Sequence, residues 1–294
     1  MVSTTLQWEL NLLDLQLIDM AFIEDLGAPF HDVTTATLFA EKLPVTTVVN
    51  IISKQPEPIT LCGLPVVKSI LEKSGYPHEL TTQYQDGQLL PPGATLLTLR
   101  GSAQVLLSVE RILLNFLQRL CAIATVTSRY VEKIHGTQAR ILDTRKTLPG
   151  FRHLEKYAVH CGGGVNHRMG LYDAMMVKDT HIDILGGIDI ALARLPENIK
   201  KQIPVIVEVR DRDELMAVLN NGLHKVSRVL LDNMTPELMR ECVALCEHKM
   251  PTEASGNISL ENILTVAECG VDYISVGKLT HSAGSVDLSM KCEY

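Results

Sequence analysis

Six short segments in the second half of the chain constrain its fold more than any other feature. They are "ARILD", "AMMVK", "PVIVEV", "RVLLD", "TEAS" and "DYISVG". Their landmark residues, Asp143, Lys178, Glu208, Asp232, Ser255 and Gly277, follow one another at intervals of 35, 30, 24, 23 and 22 residues. All but "TEAS" are apolar runs of the length expected for strands buried on both faces. The intervals leave room for one helix after each strand. Thr235 ahead of Pro236 and, further on, Ser259 read as helix caps, and Gly222 and Gly270 as helix stops. Parallel strands separated by helices predict an α/β barrel or an open doubly wound sheet.

The first part of the chain lacks this rhythm. "MAFIEDLGAPFHDVTT" reads as a helix end followed by a turn, "VTTVVNIIS" as a strand, and "DGQLLPPGATLLTLRG" as turn, strand and turn. A run of more than thirty residues, "SAQVLLSVERILLNFLQRLCAIATVTSRYVEKIHG", is helical in pattern and reads as two helices meeting near residue 121. The division is therefore a small α+β domain over residues 1–118 and a barrel over 119–281, with 282–294 packing back on the first domain.

Composition narrows the function. With 46% apolar and 21% charged residues, this is an ordinary globular chain. No stretch approaches the ~18 apolar residues of a membrane span. The N-terminus, "MVSTTLQWELNLLDL", carries early acids and no basic leader. Seven cysteines without framework spacing fit a reducing, cytoplasmic setting. Cys242 and Cys246, near His248, share one helical face and read as core rather than as metal ligands. A net charge of −7 and 4% aromatic residues argue against nucleic acid.

The charge is nevertheless uneven. Residues 145–181 hold Arg145, Lys146, Arg152, Lys156, Arg168 and Lys178 against Glu155, Asp173 and Asp179. A basic patch on an acidic chain suits a small polyanion. In a barrel the active site lies at the C-terminal ends of the strands. Those ends offer Asp143–Arg145–Lys146, Lys178, Glu208, Asp232, Ser255–Gly256–Asn257 and Gly277. Between two of them lies "CGGGVNHRMG", whose glycines permit positive φ or close backbone approach, and which brings His167 and Arg168 toward the same rim. Two poles result. A cationic cluster suits carboxylates or phosphates, with arginine able to grip a carboxylate in two-pronged fashion. Glu208 and Asp232 suit a divalent cation or sugar hydroxyls, beside a phosphate loop formed by Ser255, Gly256, Asn257 and Gly277.

"LDTRKTLPGFRHLEKYAVHCGGGVNHRMGLYDAMMVKDTHI" closely resembles the signature region of the quinolinate phosphoribosyltransferase family, the decarboxylating nicotinate-nucleotide pyrophosphorylases. "EDLGAPFHDVTT", "ERILLNFLQRLCAIAT", "VEV", "LLDNM", "EASGNI" and "GVDYISVGKLTHS" have family counterparts in the same order. The resemblance implies an N-terminal α/β sandwich, a C-terminal open α/β barrel, and a homodimer or a higher assembly with sites shared between subunits. It implies that Arg111 reaches the partner's site. Arg145, Lys146, His167, Arg168 and Lys178, with Thr147 beside them, would grip quinolinate and nearby phosphates. Glu208 and Asp232 would lie near the ribose hydroxyls and Mg²⁺, and Ser255, Gly256, Asn257 and Gly277 would hold the 5-phosphate. Lys146, Lys178, Glu208 and Asp232 would carry catalysis, with phosphoribosyl pyrophosphate as second substrate. Rival readings are a same-fold transferase acting on another acid and a non-catalytic homologue. The chain departs from the family at Thr180, Arg210 and Asn257, and by two extra residues in "EDLGAPFHDVTT".

Overall fold

The computed structural model describes residues 8–40 and 45–293; the first seven residues of the N-terminal stretch "MVSTTLQWELNLLDL" lie outside the described residues. In chain order the elements begin with α1 (Leu12–Leu26), α2 (Val33–Leu38), β1 (Thr46–Ser53), β2 (Ile59–Thr60), α3 (Leu64–Lys73), β3 (His78–Thr81), β4 (Leu89–Leu90), β5 (Thr95–Ser102) and α4 (Ala103–Lys133). Then come β6 (Arg140–Leu142), α5 (Arg152–Cys161), β7 (Met175–Val177), α6 (Asp179–Leu185), α7 (Ile188–Arg194), β8 (Val205–Val209) and α8 (Arg212–Asn221). The last are β9 (Arg228–Asp232), α9 (Pro236–Cys246), β10 (Thr252–Ser255), α10 (Ile263–Ala267), β11 (Tyr273–Ser275), α11 (Lys278–His281) and β12 (Leu288–Cys292).

The chain divides into two compact units. The first comprises the chain up to Ser128, Thr147–Gly163 and the chain from Ala283 onward. Its sheet runs β12-β1-β5-β3, all pairs antiparallel. The last strand, β12, pairs with β1 from Val49↔Cys292 to Ser53↔Leu288. The core of this unit includes α3 and α4 side chains such as Val66, Ile70, Leu113 and Leu117, all fully buried. Asn11 and Asp14 form a reciprocal cap at the start of α1, and Asp32 caps α2.

The sequence predicts two helices meeting at residue 121, but α4 is a single helix of 31 residues. No glycine or proline interrupts it, and the Thr125 and Thr127 hydroxyls donate to the carbonyls of Cys121 and Ile123 one turn back. The sequence signal for a break was therefore a change of surroundings and not of backbone.

The second unit holds Arg129–Lys146 and Gly164–Ser282. Six parallel strands follow the order β6-β11-β10-β9-β8-β7, with helices between successive strands. Among the described residues β6 and β7 are not paired with each other, so the α/β barrel is open. All five residues of β8 are buried, as a strand covered on both faces requires. Thr235 caps α9 ahead of Pro236, and Gly222 ends α8. Ser259 does not cap α10; that position belongs to Asn262, whose side chain accepts the Ser259 N–H across an intervening turn. Cys242 and Cys246 lie buried on α9. No described helix is long and apolar enough to cross a membrane.

Candidate active site

The three glycines at 162–164 prepare the site in a way that the side chains alone do not reveal. A Cβ on Gly162 would stand 2.4 Å from the Ala124 carbonyl oxygen and 2.5 Å from the Thr127 Cβ, so only glycine lets α5 end against α4. Gly163, at φ 86°, turns the chain in the left-handed region. Val165 then adds to the open edge of β6: its N–H donates to the Ile141 carbonyl at 2.8 Å, and its carbonyl accepts the Asp143 N–H at 3.2 Å. The close approach is to protein backbone, and the chain leaves it as a short extended piece laid along the barrel.

Asp143, fully buried at the end of β6, fastens the next two residues of that piece. Its Oδ1 accepts the His167 N–H at 2.8 Å and its Oδ2 accepts the Asn166 side-chain amide at 2.7 Å. Arg168 emerges next. Its Nη1 donates to the Ala174 carbonyl at 3.0 Å, and Met169 and Gly170 donate backbone N–H groups to Asp173. Burial, and then the neighbouring Arg145, push the Arg168 guanidinium below its ordinary value. The Nε of Arg145 is itself buried without a hydrogen-bond partner. Two neighbouring guanidinium groups, one with a buried donor unspent, form a site that an anion would complete.

Lys146 is exposed beside them, its carbonyl held by the Thr280 hydroxyl at 2.8 Å and its side chain passing close to Gly277. Lys178, at the N-terminus of α6, lies near Glu208. Glu208 is buried within β8. Burial and then Asp232 push its carboxyl up, while Lys178 and the Asp179 N–H oppose the shift. Asp232 at the end of β9 accepts the Ser255 hydroxyl at 2.5 Å and the Asn233 side-chain amide at 2.7 Å. Gly256 (φ 98°) and Asn257 (φ 52°) are both left-handed, and a Cβ on Gly256 would fall 2.1 Å from the Asn233 Oδ1. The turn after β10 is therefore moulded on the turn after β9.

The structure thus brings Arg145, Lys146, Lys178, Glu208, Asp232, Ser255, Gly256, Asn257 and Gly277 to the C-terminal rim of one parallel barrel, with His167 and Arg168 on the strip laid along β6. Thr147 and Arg111 fall in the other unit. Thr147 accepts the Arg152 Nε at 2.9 Å. Arg111 is exposed on α4 and, with Asp25, His31, Asp32, Ser108 and Glu110, lines a concavity of about 450 Å³. Of the departures, Arg210 faces outward in an exposed network with Glu214 (Nη2 to Oε1, 2.5 Å) and Asp183 (2.8 Å), and Thr180 is exposed in the first turn of α6.

The ring of His167 is 6% exposed and turns inward. Its Nδ1 accepts the Arg168 N–H at 2.6 Å, and its Nε2 lies 3.4 Å from Glu253 Oε1. Glu253, on β10, is fully buried. Its Oε2 lies 2.9 Å from the Arg228 Nε, and its Oε1 accepts the Ser275 hydroxyl. Arg228 in turn stacks over Tyr273. Glu253, Arg228 and Asn233 escape the reading of strand ends because they sit inside strands or one residue past them. A charge inside a strand read as buried was the signal available.

Glu208 and Asp232 supply hard carboxylate oxygens on neighbouring strands, which suits Mg²⁺ bound by one or two carboxylates with substrate phosphates completing its shell. Family models described as the N-terminal and C-terminal domains of quinolinate phosphoribosyl transferase match residues 32–121 and 123–291. The chain is 37% identical over 278 residues to a probable nicotinate-nucleotide pyrophosphorylase [carboxylating] of Bacillus subtilis, covering 94% of this chain and 92% of that one. It is 38% identical over 280 residues to the nicotinate-nucleotide pyrophosphorylase [carboxylating] of Mycobacterium leprae, covering 93% and 95%. The solved nicotinate-nucleotide pyrophosphorylase of Francisella tularensis superposes with a TM-score of 0.87 at 35% identity over 96% of both chains. With both domains matched in order and the charged rim in place, this chain belongs to the quinolinate phosphoribosyltransferase family.

Proposed function

We propose that this protein joins quinolinate to phosphoribosyl pyrophosphate, giving nicotinate mononucleotide, pyrophosphate and CO₂, a step of NAD synthesis. The observation that carries the reading is the pair of opposed poles on one barrel rim: Arg145, its buried Nε without a partner, beside Arg168, and Glu208 beside Asp232. Arg145, Lys146, Arg168 and Lys178 receive the dicarboxylate and the departing pyrophosphate. As the C1′–O bond to pyrophosphate breaks, positive charge grows on the ribose ring, and the two carboxylates favour it. The quinolinate nitrogen forms the new bond to C1′. The bond from ring C2 to its carboxyl group then breaks, its electron pair stays on C2 where the adjacent positive ring nitrogen stabilises it, and a proton takes up that pair in place of CO₂. Catalysis is positioning and electrostatics, and no single general base is assigned.

Mg²⁺ held by Glu208 and Asp232 would supply charge neutralisation for the pyrophosphate. The turn of Ser255, Gly256 and Asn257, with Gly277, holds the 5-phosphate. In a homodimer Arg111 enters the partner's site. The cysteine usage accords with a reducing, cytoplasmic setting. The test is to incubate purified protein with quinolinate, phosphoribosyl pyrophosphate and Mg²⁺, with nicotinate and nicotinamide run in parallel. Nicotinate mononucleotide and CO₂ from quinolinate alone, lost on chelation and restored by Mg²⁺, is the expected result. Product from nicotinate instead would move the assignment to another acid.

A further inference from the structure

We infer that Glu253, backed by Arg228, is a positioning residue that locks His167 as a neutral peg in the barrel, so that the loop presents Arg168 beside Arg145. The inference rests on the proposed function only in naming quinolinate as the acid that this loop receives.

The protonation pattern comes from the geometry. The Arg168 N–H points at Nδ1 from 2.6 Å, so Nδ1 must be an acceptor. A proton there would set two donors against each other. The single ring proton therefore sits on Nε2, where Glu253 Oε1 at 3.4 Å is its acceptor. The Arg228 Nη2, 3.5 Å from the same nitrogen, is then a neighbour and not a donor to it; its group serves Glu253 through the 2.9 Å contact of Nε with Oε2. Burial works against the Glu253 carboxylate, and His167, Arg228 and Ser275 together outweigh it and hold the group below the usual range. The ring is thus spoken for on both sides and brings no positive charge to the rim. Backbone and ring fix the same residue at two points, Asp143 just past β6 and Glu253 on β10. The residue that this anchored piece presents is Arg168, one residue on.

This makes a charged residue deep in the barrel a determinant of acid binding that touches no substrate. A structural role alone would lower stability and leave the two substrates equally affected. The test uses Glu253→Leu, which removes the acceptor, and Glu253→Gln, which keeps an acceptor oxygen for Nε2–H and loses the charge. Expected for Glu253→Leu is a rise in the quinolinate KM on the order of tenfold to a hundredfold, a phosphoribosyl pyrophosphate KM unchanged, and substantial rescue in Glu253→Gln. An unchanged quinolinate KM in folded Glu253→Leu overturns the inference. Where Glu253→Leu does not fold, nitrogen-15 NMR of histidine-labelled wild-type protein decides, with His167 assigned by loss of its signal in His167→Asn. The Nε2–H tautomer supports the inference, and a proton on Nδ1 overturns it. Wild-type protein that turns over no quinolinate would fail the proposed function separately, and the tautomer would then stand as the judgement on Glu253 alone.

Discussion

The first unit and the barrel rim treat charge in opposite ways. In the first, Glu155, Asp86 and Asp32 are each answered by donors. Glu155 takes Arg119 at 2.5 and 3.1 Å and the Leu148 N–H at 3.3 Å. Asp86 takes the N–H groups of Gly63 and Leu64 and the Tyr157 hydroxyl. Asp32 takes Thr35 and Ser108. On the barrel rim, like charges face each other: Arg145 with Arg168, and Glu208 with Asp232. Closed pairs hold a fold together, whereas like charges left facing one another are tolerable only where a ligand completes them.

The sharpest way to break this comparison is Arg168→Ala. Turnover should fall on the order of 10² to 10³-fold with the melting temperature unchanged; a near-normal rate would remove the cationic pole from the site. Next is subunit exchange between Arg111→Ala and Lys178→Ala proteins, each inactive alone. With sites shared across a two-fold dimer, random mixing leaves one intact site in half the dimers, or about a quarter of wild-type activity. No recovery after exchange shown by mass spectrometry would confine Arg111 to its own unit. Glu155→Ala should do the reverse of Arg168→Ala. It leaves the largely buried Arg119 without its carboxylate, a loss of about 3 kcal/mol in chemical denaturation, while kcat well below the transition stays normal.

The smallest effect carries the clearest sign. The folded Glu208 carboxyl lies above its unfolded value, through burial and then Asp232. Its contribution to stability is present at low pH and is lost as pH rises through the folded value. Glu208→Gln should therefore melt slightly higher than wild type at pH 7, with the gain vanishing below the ordinary carboxylate range, and with turnover reduced. A lower melting temperature at pH 7 would show that Glu208 is a closed pair like those of the first unit.

What the sequence made legible divides along the same line. The rim was readable because barrel strands are short, buried and evenly spaced, so Asp143, Lys178 and Asp232 announced themselves at strand ends. The inward turn of His167 was not, because it depends on Glu253 from a strand 86 residues away in sequence. The glycines of "CGGGV" announced a close approach without saying to what; the partner is the α4 backbone, which no local pattern encodes. The continuity of α4 is hidden in the sequence because a helix that changes surroundings midway changes its side-chain pattern without changing its hydrogen-bond ladder.

The open edge of the barrel bears on how such a chain can diversify. Arg145, His167 and Arg168 belong to the stretch that joins β6 to β7, the two strands that end the six-stranded sheet. Glu208 and Asp232 sit on β8 and β9, paired on both sides. Insertions and replacements between β6 and β7 leave the ladder of the inner strands intact. A lineage built on this frame can exchange the acid that it accepts while inheriting its grip on the sugar unaltered, and a laboratory search for new acceptors belongs in residues 144–174.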